Sequence, residues 1–296
     1  MKIVVAGSSG LLGSALVPVL EADGHEVVRL VRRAAASAND LCWDPKTANL
    51  DLEAIRGTDA AINLAGAGVG DKRWTDAYKR EIRNSRVGTT RFLSTMLAKL
   101  DPLPSVLLNG SAVGIYGNRG DEPLDESSAT GEGFLADVCR AWEDATRPAS
   151  DQGIRVVNLR TGYVIGKDSD FLRKQLLPAK LGLGGPIGGG RQFQSWIHLE
   201  DWLLAVQHLI ASDVSGPANL TAPNPVRQKE FASELGKALN RPAFLPVPSF
   251  ALKIVLGEFA TEVVDGARVL PKVLTDAGFG FAYPTIGQAL TAALKD

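Results

Sequence analysis

A chain of 296 residues that is 45% apolar and 22% charged has the composition of a soluble globular protein with a sizeable core. Its formal net charge is −1 and no basic block stands out, so neither nucleic acid nor a membrane surface is expected as a partner. Two cysteines, Cys42 and Cys139, both expected to be buried, and three scattered histidines (His25, His198, His208) leave no metal-type spacing and little material for a His-based triad.

Residues 2–6 form an apolar run of the kind found in a strand covered on both faces. Gly7, Gly10 and Gly13 follow at three-residue spacing, then residues 11–20 take up helical periodicity until Gly24 stops it before a second strand at 26–31. In such a unit the first glycine allows the tight turn, the second lets a pyrophosphate approach, and the third lets the helix pack closely. The helix start adds free N–H groups and the positive end of its dipole. The unit reads as a dinucleotide site. Its second strand ends Leu30-Val31-Arg32-Arg33 with no acid. A carboxylate there suits the ribose hydroxyls of NAD, whereas arginine suits a 2′-phosphate, so NADP(H) is the expected cofactor.

Residues 34–40 read as a polar loop, 41–45 as a short third strand and turn, and 51–55 as a short helix. A fourth parallel strand at 59–66 ends in small residues, which a cofactor passing over the strand tip requires. A long helix is expected over 71–100, with Trp74, Tyr78 and Ile82 inward. The fifth strand, 105–108, runs into SAVGIYG, where Ser111 is the nearest hydroxyl able to hold a reacting carbonyl or hydroxyl and Tyr116 lies five residues on. Asp121, Glu122, Asp125 and Glu126 read as an exposed acidic turn. An amphipathic helix at 134–147 precedes a sixth strand at 154–159, which continues into a loop at 160–166. After a helix at 171–181 the segment LGLGGPIGGG is too glycine-rich for anything but a turn or lid. Residues 195–201 open a helix that runs through Ile210, with His198 as a packed histidine, and a short strand follows at 219–221. Beyond Pro223 the pattern is helix (228–240), proline-rich linker, helix (251–265) and a last short helix entered through Pro284. The chain begins a strand almost at once, so no leader is expected, and no run of about eighteen apolar residues occurs. A cytoplasmic protein is the expectation.

Taken together, GSSGLLG, NLAG followed by RW, SAVGIYG, FLADVCRAWE, LRTGYVIG, LGLGGPIGGGRQFQSWIHLED and the tail from RPAFLPVPSF to AGFGFAYPT resemble the epimerase-type atypical short-chain dehydrogenase/reductases. These belong to the NAD-dependent epimerase/dehydratase superfamily and carry a C-terminal domain of unknown function. The resemblance runs nearly end to end. It implies an α/β fold with a Rossmann-type doubly wound parallel sheet and a smaller, mostly helical C-terminal region. The implied division is a nucleotide-binding domain over 1–165, its sheet completed by about 195–222, a lid at 166–194 and a C-terminal domain at 223–296. Carried over by position, the cofactor contacts would be Gly7, Ser9, Gly10, Leu11, Leu12, Arg32, Arg33, Leu64, Ala65, Glu81, Arg86 and Val164. A small-molecule substrate and a monomer or homodimer are expected, with no metal.

One departure bears on the reaction. The wider superfamily uses a Tyr-x-x-x-Lys pair on a helix, where the lysine lowers the phenol pKa for proton exchange. Here Phe134 and Val138 occupy those positions, and neither can move a proton. The spacing recurs at Tyr163 and Lys167, but on a strand-and-loop run that separates the two side chains by about 13 Å. Ser111 and Tyr116 are therefore the candidate catalytic pair. Two readings stand: an NADP(H)-dependent epimerase or oxidoreductase, and an NADP(H)-binding protein without redox chemistry that acts on partners.

Overall fold

The computed structural model describes residues 1–247 and 249–295. The first half runs β1 (Lys2–Ala6), α1 (Leu11–Ala22), β2 (Glu26–Val31), β3 (Asp40–Cys42), β4 (Ala60–Asn63), α2 (Asp76–Leu97) and β5 (Val106–Ala112). Then come β6 (Pro123–Leu124), α3 (Phe134–Asp144), α4 (Arg147–Ser150), β7 (Arg155–Thr161), β8 (Tyr163–Ile165), α5 (Asp170–Lys180), β9 (Phe193–Gln194), β10 (Trp196–His198), α6 (Leu199–Ala211) and β11 (Gly216–Leu220). The chain closes with β12 (Val226–Arg227), α7 (Gln228–Leu239), α8 (Ser249–Leu256), α9 (Ala260–Val264), β13 (Arg268–Val269), α10 (Lys272–Asp276) and α11 (Ile286–Lys295).

Seven strands form one sheet in the order β3-β2-β1-β4-β5-β7-β11, every pairing parallel. Parallel neighbours require crossovers, and these cover both faces with helices, which is why β1 from Ile3 to Ala6 and β4 from Ala60 to Ile62 are apolar and buried. Alternation along each strand divides the two layers. Ile3, Val5, Ile62, Leu108 and Val157 face α1 and α6, while Val4, Ala61, Leu107 and Val156 face Leu93 and Leu97 of α2. The chain winds outward from β1 through β2 and β3, then crosses over to β4. That reversal opens a crevice at the carboxyl ends of β1 and β4.

A separate core lies toward the C-terminal half, where Leu172, Trp196, Phe231, Leu235, Ile286 and Leu290 join α5, α7 and α11. Among the described residues no helix is long and apolar enough to cross a membrane.

Several elements differ from expectation for local reasons. The long helix starts at Asp76, because the Thr75 side chain accepts the Tyr78 N–H (3.2 Å) and caps it there. The helix expected over 51–55 is a run of turns opened by Asp51, whose carboxylate accepts the Glu53 N–H (3.0 Å). The loop expected over 160–166 contains β8, which pairs in parallel with β10 away from the main sheet. The helix expected over 251–265 divides into α8 and α9 at Gly257, whose φ is +62°. Cys139 is buried as expected. Cys42, at the end of an edge strand, is exposed.

Candidate functional site

The crevice is lined first by the glycine turn between β1 and α1. Gly7 has φ +83°, and a Cβ there would come within 2.6 Å of the Leu64 carbonyl carbon and 2.7 Å of the Ala65 nitrogen. The β1 turn and the β4 tip thus touch at a point that only glycine permits. A Cβ on Gly13 would lie 2.3 Å from the Gly7 oxygen, so this glycine seats α1 against the turn itself as well as the sheet. Gly10 is different. It is exposed, and the nearest atom to its Cβ would be the Gly7 oxygen at 3.6 Å. The fold does not need glycine at position 10, but a ligand pressed onto the backbone would. Gly10 is also the N-cap of α1, with no side chain bonded to the helix start. The first N–H groups remain for an anion. Ser9 is exposed beside them, whereas Leu11 and Leu12 turn partly inward onto the core.

At the end of β2 the two arginines are not equivalent. Arg33 lies 3.2 Å from an Asp40 oxygen, and Arg29 Nε donates to the other at 2.8 Å. The Ala36 N–H also donates to Asp40 at 3.0 Å, folding the intervening loop around a side chain only 2% exposed. That backbone donor, with Arg29 and then Arg33, holds the Asp40 carboxyl at about 2. Arg32 is exposed and makes no ion pair among the described residues. A carboxylate therefore does approach the end of β2, supplied by β3, but it is saturated by arginine. Sequence inspection of β2 alone misses it. The parallel register that sets Arg29 opposite Asp40 reveals it.

The tip of β4 is held rigidly. Leu64 and Ala65 are partly buried at the crest, and the Ala65 N–H turns back to Asn63 Oδ1 (3.3 Å). Beyond them α2 grips the loop. Ser85 Oγ accepts the Ala67 N–H (3.0 Å), Arg86 Nη1 donates to the Ala67 oxygen (2.8 Å), and the Tyr78 hydroxyl donates to the Gly68 oxygen. Trp74 Nε1 adds a bond to the Val69 oxygen (2.8 Å). Arg86 also lies over the Trp142 ring, and burial lowers its pKa below the ordinary arginine value. Its donors brace the loop from beneath. Glu81 stays exposed on the same flank, between Tyr78 and Ser85 in helical spacing. Val164 is buried in β8, paired with Ile197.

Beneath this edge runs a polar seam. Asn63, Asn109 and Asn158 stand in register on β4, β5 and β7 and bond in series at 2.9 and 3.1 Å, with Thr90 and Trp142 completing the set. Nearer the edge, Ser111 stands opposite Arg160 and donates to Glu143 Oε1 at 2.7 Å. Arg160 meets Glu143 through two bonds of 2.9 Å, and its Nη1 donates to the Tyr116 hydroxyl at 2.9 Å. That hydroxyl in turn donates to Asn219 Oδ1 at 2.8 Å.

Ser111 and Tyr116 are thus brought into one network, but Tyr116 does not reach the crevice. Its ring is 0% exposed and its hydroxyl is used in both directions. The short 3-10 turn Val113–Tyr116 rolls the ring back under the sheet. Burial raises its pKa, against the opposing pull of Arg160. The phenol is thus enclosed with both hydrogen-bonding directions taken, an arrangement unlike the open catalytic hydroxyl expected of it. Glu126, expected exposed, is also turned inward. One oxygen accepts N–H groups from Asn219 (2.9 Å) and Val273 (3.2 Å), and the other is buried without a hydrogen-bond partner among the described residues.

On α3, Phe134 packs edge-on against Trp74 (5.0 Å) and Val138 is buried, so the missing proton-transfer pair is replaced by core. Tyr163 stacks on Phe171 at 4.4 Å, and burial pushes its phenol up to about 12. His198 is buried, accepting the Glu200 N–H on Nδ1 (3.3 Å) and lying against Tyr283. Among the described residues no cluster of His, Cys, Asp or Glu could hold a metal ion.

The switch-point crevice, the glycine turn and the open helix start define a dinucleotide-binding α/β protein. Residues 3–221 match the NAD dependent epimerase/dehydratase family, to which this chain belongs, and residues 247–293 match the Domain of unknown function (DUF1731). Epimerase family protein Mb2239 of Mycobacterium bovis is 46% identical over 290 residues, covering 97% of this chain and 96% of its own. The crystal structure of human epimerase family protein SDR39U1 (isoform 2) with NADPH superposes with a TM-score of 0.92 at 33% identity, over 100% of both chains. A nucleoside-diphosphate sugar epimerase of Corynebacterium glutamicum gives 0.81 at 35% identity, covering 99% of this chain and 58% of that one.

Proposed function

We propose that this protein binds NADP(H) across the β1–β4 crevice and uses it in hydride exchange with a small hydroxyl- or carbonyl-bearing substrate, a sugar nucleotide being one such class. The observation that carries the cofactor reading is the pairing of an uncapped α1 start at Gly10 with an exposed guanidinium at Arg32 that has no ion pair among the described residues. The α1 N–H groups would hold the pyrophosphate and Arg32 the 2′-phosphate, with Ser9 beside the diphosphate and Leu64 and Ala65 under the ring system. Arg33 would steady the Arg32 strand end through Asp40, and Arg86 and Glu81 would act through the loop that α2 grips. The human relative solved with NADPH supports the same choice.

When bound, the cofactor supplies a hydride donor or acceptor. The chain supplies the rest: Ser111, near the carboxyl end of β5, is only 5% exposed and donates to Glu143, and we assign it the substrate's hydroxyl proton. Tyr116 and Arg160 would act as positioning residues that hold Glu143. The lid at 166–194 and the C-terminal domain from 223 would enclose the substrate. A test is single-turnover oxidation of NADPH across sugar nucleotides and small carbonyls. Turnover lost in Ser111→Ala with cofactor affinity retained supports the reading; no turnover with any substrate contradicts it.

A second reading, cofactor binding without redox chemistry in the service of a protein partner, draws on Phe134 and Val138 in place of a proton-transfer pair. It expects Ser111→Ala to leave cofactor affinity unchanged, no hydride exchange with any substrate, and a partner to be recovered only with the cofactor-loaded protein.

A further inference from the structure

Among the described residues, the large apolar side chains that stand most exposed are concentrated in two segments that touch. α5 presents Leu177 and Leu181 one helical turn apart, and α8 does the same with Phe250 and Ile254. Between them lie Leu183 and Phe244, and all six are 55% to 71% exposed. The two loops that carry Leu183 and Phe244 are laced together. The Leu245 N–H donates to the Gly184 oxygen (3.2 Å), the Val247 N–H to the Pro186 oxygen (2.8 Å), and the Gly188 N–H to the Val247 oxygen (3.0 Å). Patches of this kind are uncommon on a monomer's surface and mark an interaction site.

The stretches carrying Leu177, Leu181, Leu183 and Phe244 are basic, while Glu258 just past α8 is paired with Lys79. Residues 173–183 and 237–247 carry Arg173, Lys174, Lys180, Lys237 and Arg241 and no acid, in a chain whose net charge is −1. Asp170 and Glu234 stand at the margin beside Arg173 (3.9 Å) and Lys237 (2.7 Å), and Lys174 reaches the Gly70 oxygen. Among the described residues Lys180 and Arg241 form no ion pair, and Arg241 Nε donates to the Lys180 backbone oxygen (3.1 Å), so they meet at the centre of the seam. Whole-chain charge argues against an anionic surface as partner; the fold gathers cations that the sequence disperses.

We propose that this face, formed by α5, α8 and the loops between them, docks on an anionic lipid surface. The apolar pairs are each more than half exposed, which suits insertion at the headgroup–acyl boundary, and Lys237 and Arg241 line a cavity beside Phe244 where headgroup phosphates would lie. A second copy of the chain fits less well, because a two-fold interface would set Lys180 and Arg241 against their own equivalents. The inference does not depend on the cofactor reading.

The test is co-sedimentation of the full chain with vesicles of phosphatidylcholine alone and of equimolar phosphatidylcholine and phosphatidylglycerol. Partitioning at least about 25-fold stronger onto the anionic vesicles, weakening as salt is raised, is expected. Each cation near such a surface contributes about fivefold, so Lys180→Ala with Arg241→Ala lowers it by roughly 25-fold. Phe244→Ser with Ile254→Ser abolishes it while the thermal melt stays cooperative and unshifted, as exposed positions allow. The proposal is overturned by no partitioning, by partitioning indifferent to lipid charge and to both variants, or by a dimer in solution that the Phe244→Ser, Ile254→Ser protein fails to form.

Discussion

Arg32 and Arg33 are adjacent and chemically identical, yet truncating them has different expected consequences. Asp40 lies 3.2 Å from Arg33 and already compensates its charge, whereas among the described residues Arg32 meets no carboxylate. A charge-assisted hydrogen bond contributes about 1.5–3 kcal/mol, and solvent around an exposed guanidinium favours the lower end. Arg32→Ala should therefore weaken NADPH binding by about 1.5 kcal/mol, or roughly tenfold. Arg33→Ala should weaken it by no more than about threefold, because only an already screened charge is lost. NADH, lacking the 2′-phosphate, should be nearly indifferent to both. The assay is a titration of protein-bound NADPH and NADH fluorescence at fixed ionic strength, since screening alters such contacts. Equal losses for the two cofactors in Arg32→Ala, or a larger effect at Arg33, would refute the division of labour.

Other consequences can be measured alongside. Gly10→Ala should leave the thermal midpoint within about 1 °C, because its nearest neighbour lies at 3.6 Å, yet cut NADPH affinity severely; Gly13→Ala, 2.3 Å from the Gly7 oxygen, should impair stability as well. Glu143→Ala strands a guanidinium whose side chain is 7% exposed, which costs about 3–5 kcal/mol and lowers the melting midpoint by about 10 °C. Burial raises the pKa of Glu126 in the fold above its unfolded value, so the stability it contributes is present at low pH and lost as pH rises through the folded value. Glu126→Gln should accordingly stabilise the protein at pH 7 and lose that advantage near pH 4 in a series of melts. Asp40 behaves in the opposite sense: its contribution is full above the ordinary value of 3.8 and lost as pH falls toward about 2, so its loop should be insensitive between pH 5 and 8 by cofactor titration.

Much of the nucleotide half was readable because its signals are local. Apolar runs mark β1 and β4, and three glycines at fixed spacing announce the turn into α1. What escaped depends on partners distant in the chain. Tyr116 follows Ser111 closely enough to pass for its neighbour at an open edge, but its hydroxyl is claimed by Arg160 and Asn219, 44 and 103 residues away. Asp40 looks like a loop residue until β2 and β3 pair and set it against Arg29. Strands of three residues such as β8 and β10 are too short to show a period, so their pairing had no signature. The grip of α2 on the β4 tip was hidden for a different reason. Ser85, Arg86, Tyr78 and Trp74 read as ordinary helix-face residues, and only the fold shows backbone groups of residues 67–69 in their reach.

Isothermal titration of the intact protein with NADPH and with NADH bears most directly on the central claim. Saturable binding of NADPH, at least about tenfold tighter than NADH, is the expected result. No binding of either nucleotide, or tighter binding of NADH with Arg32 in place, would contradict it.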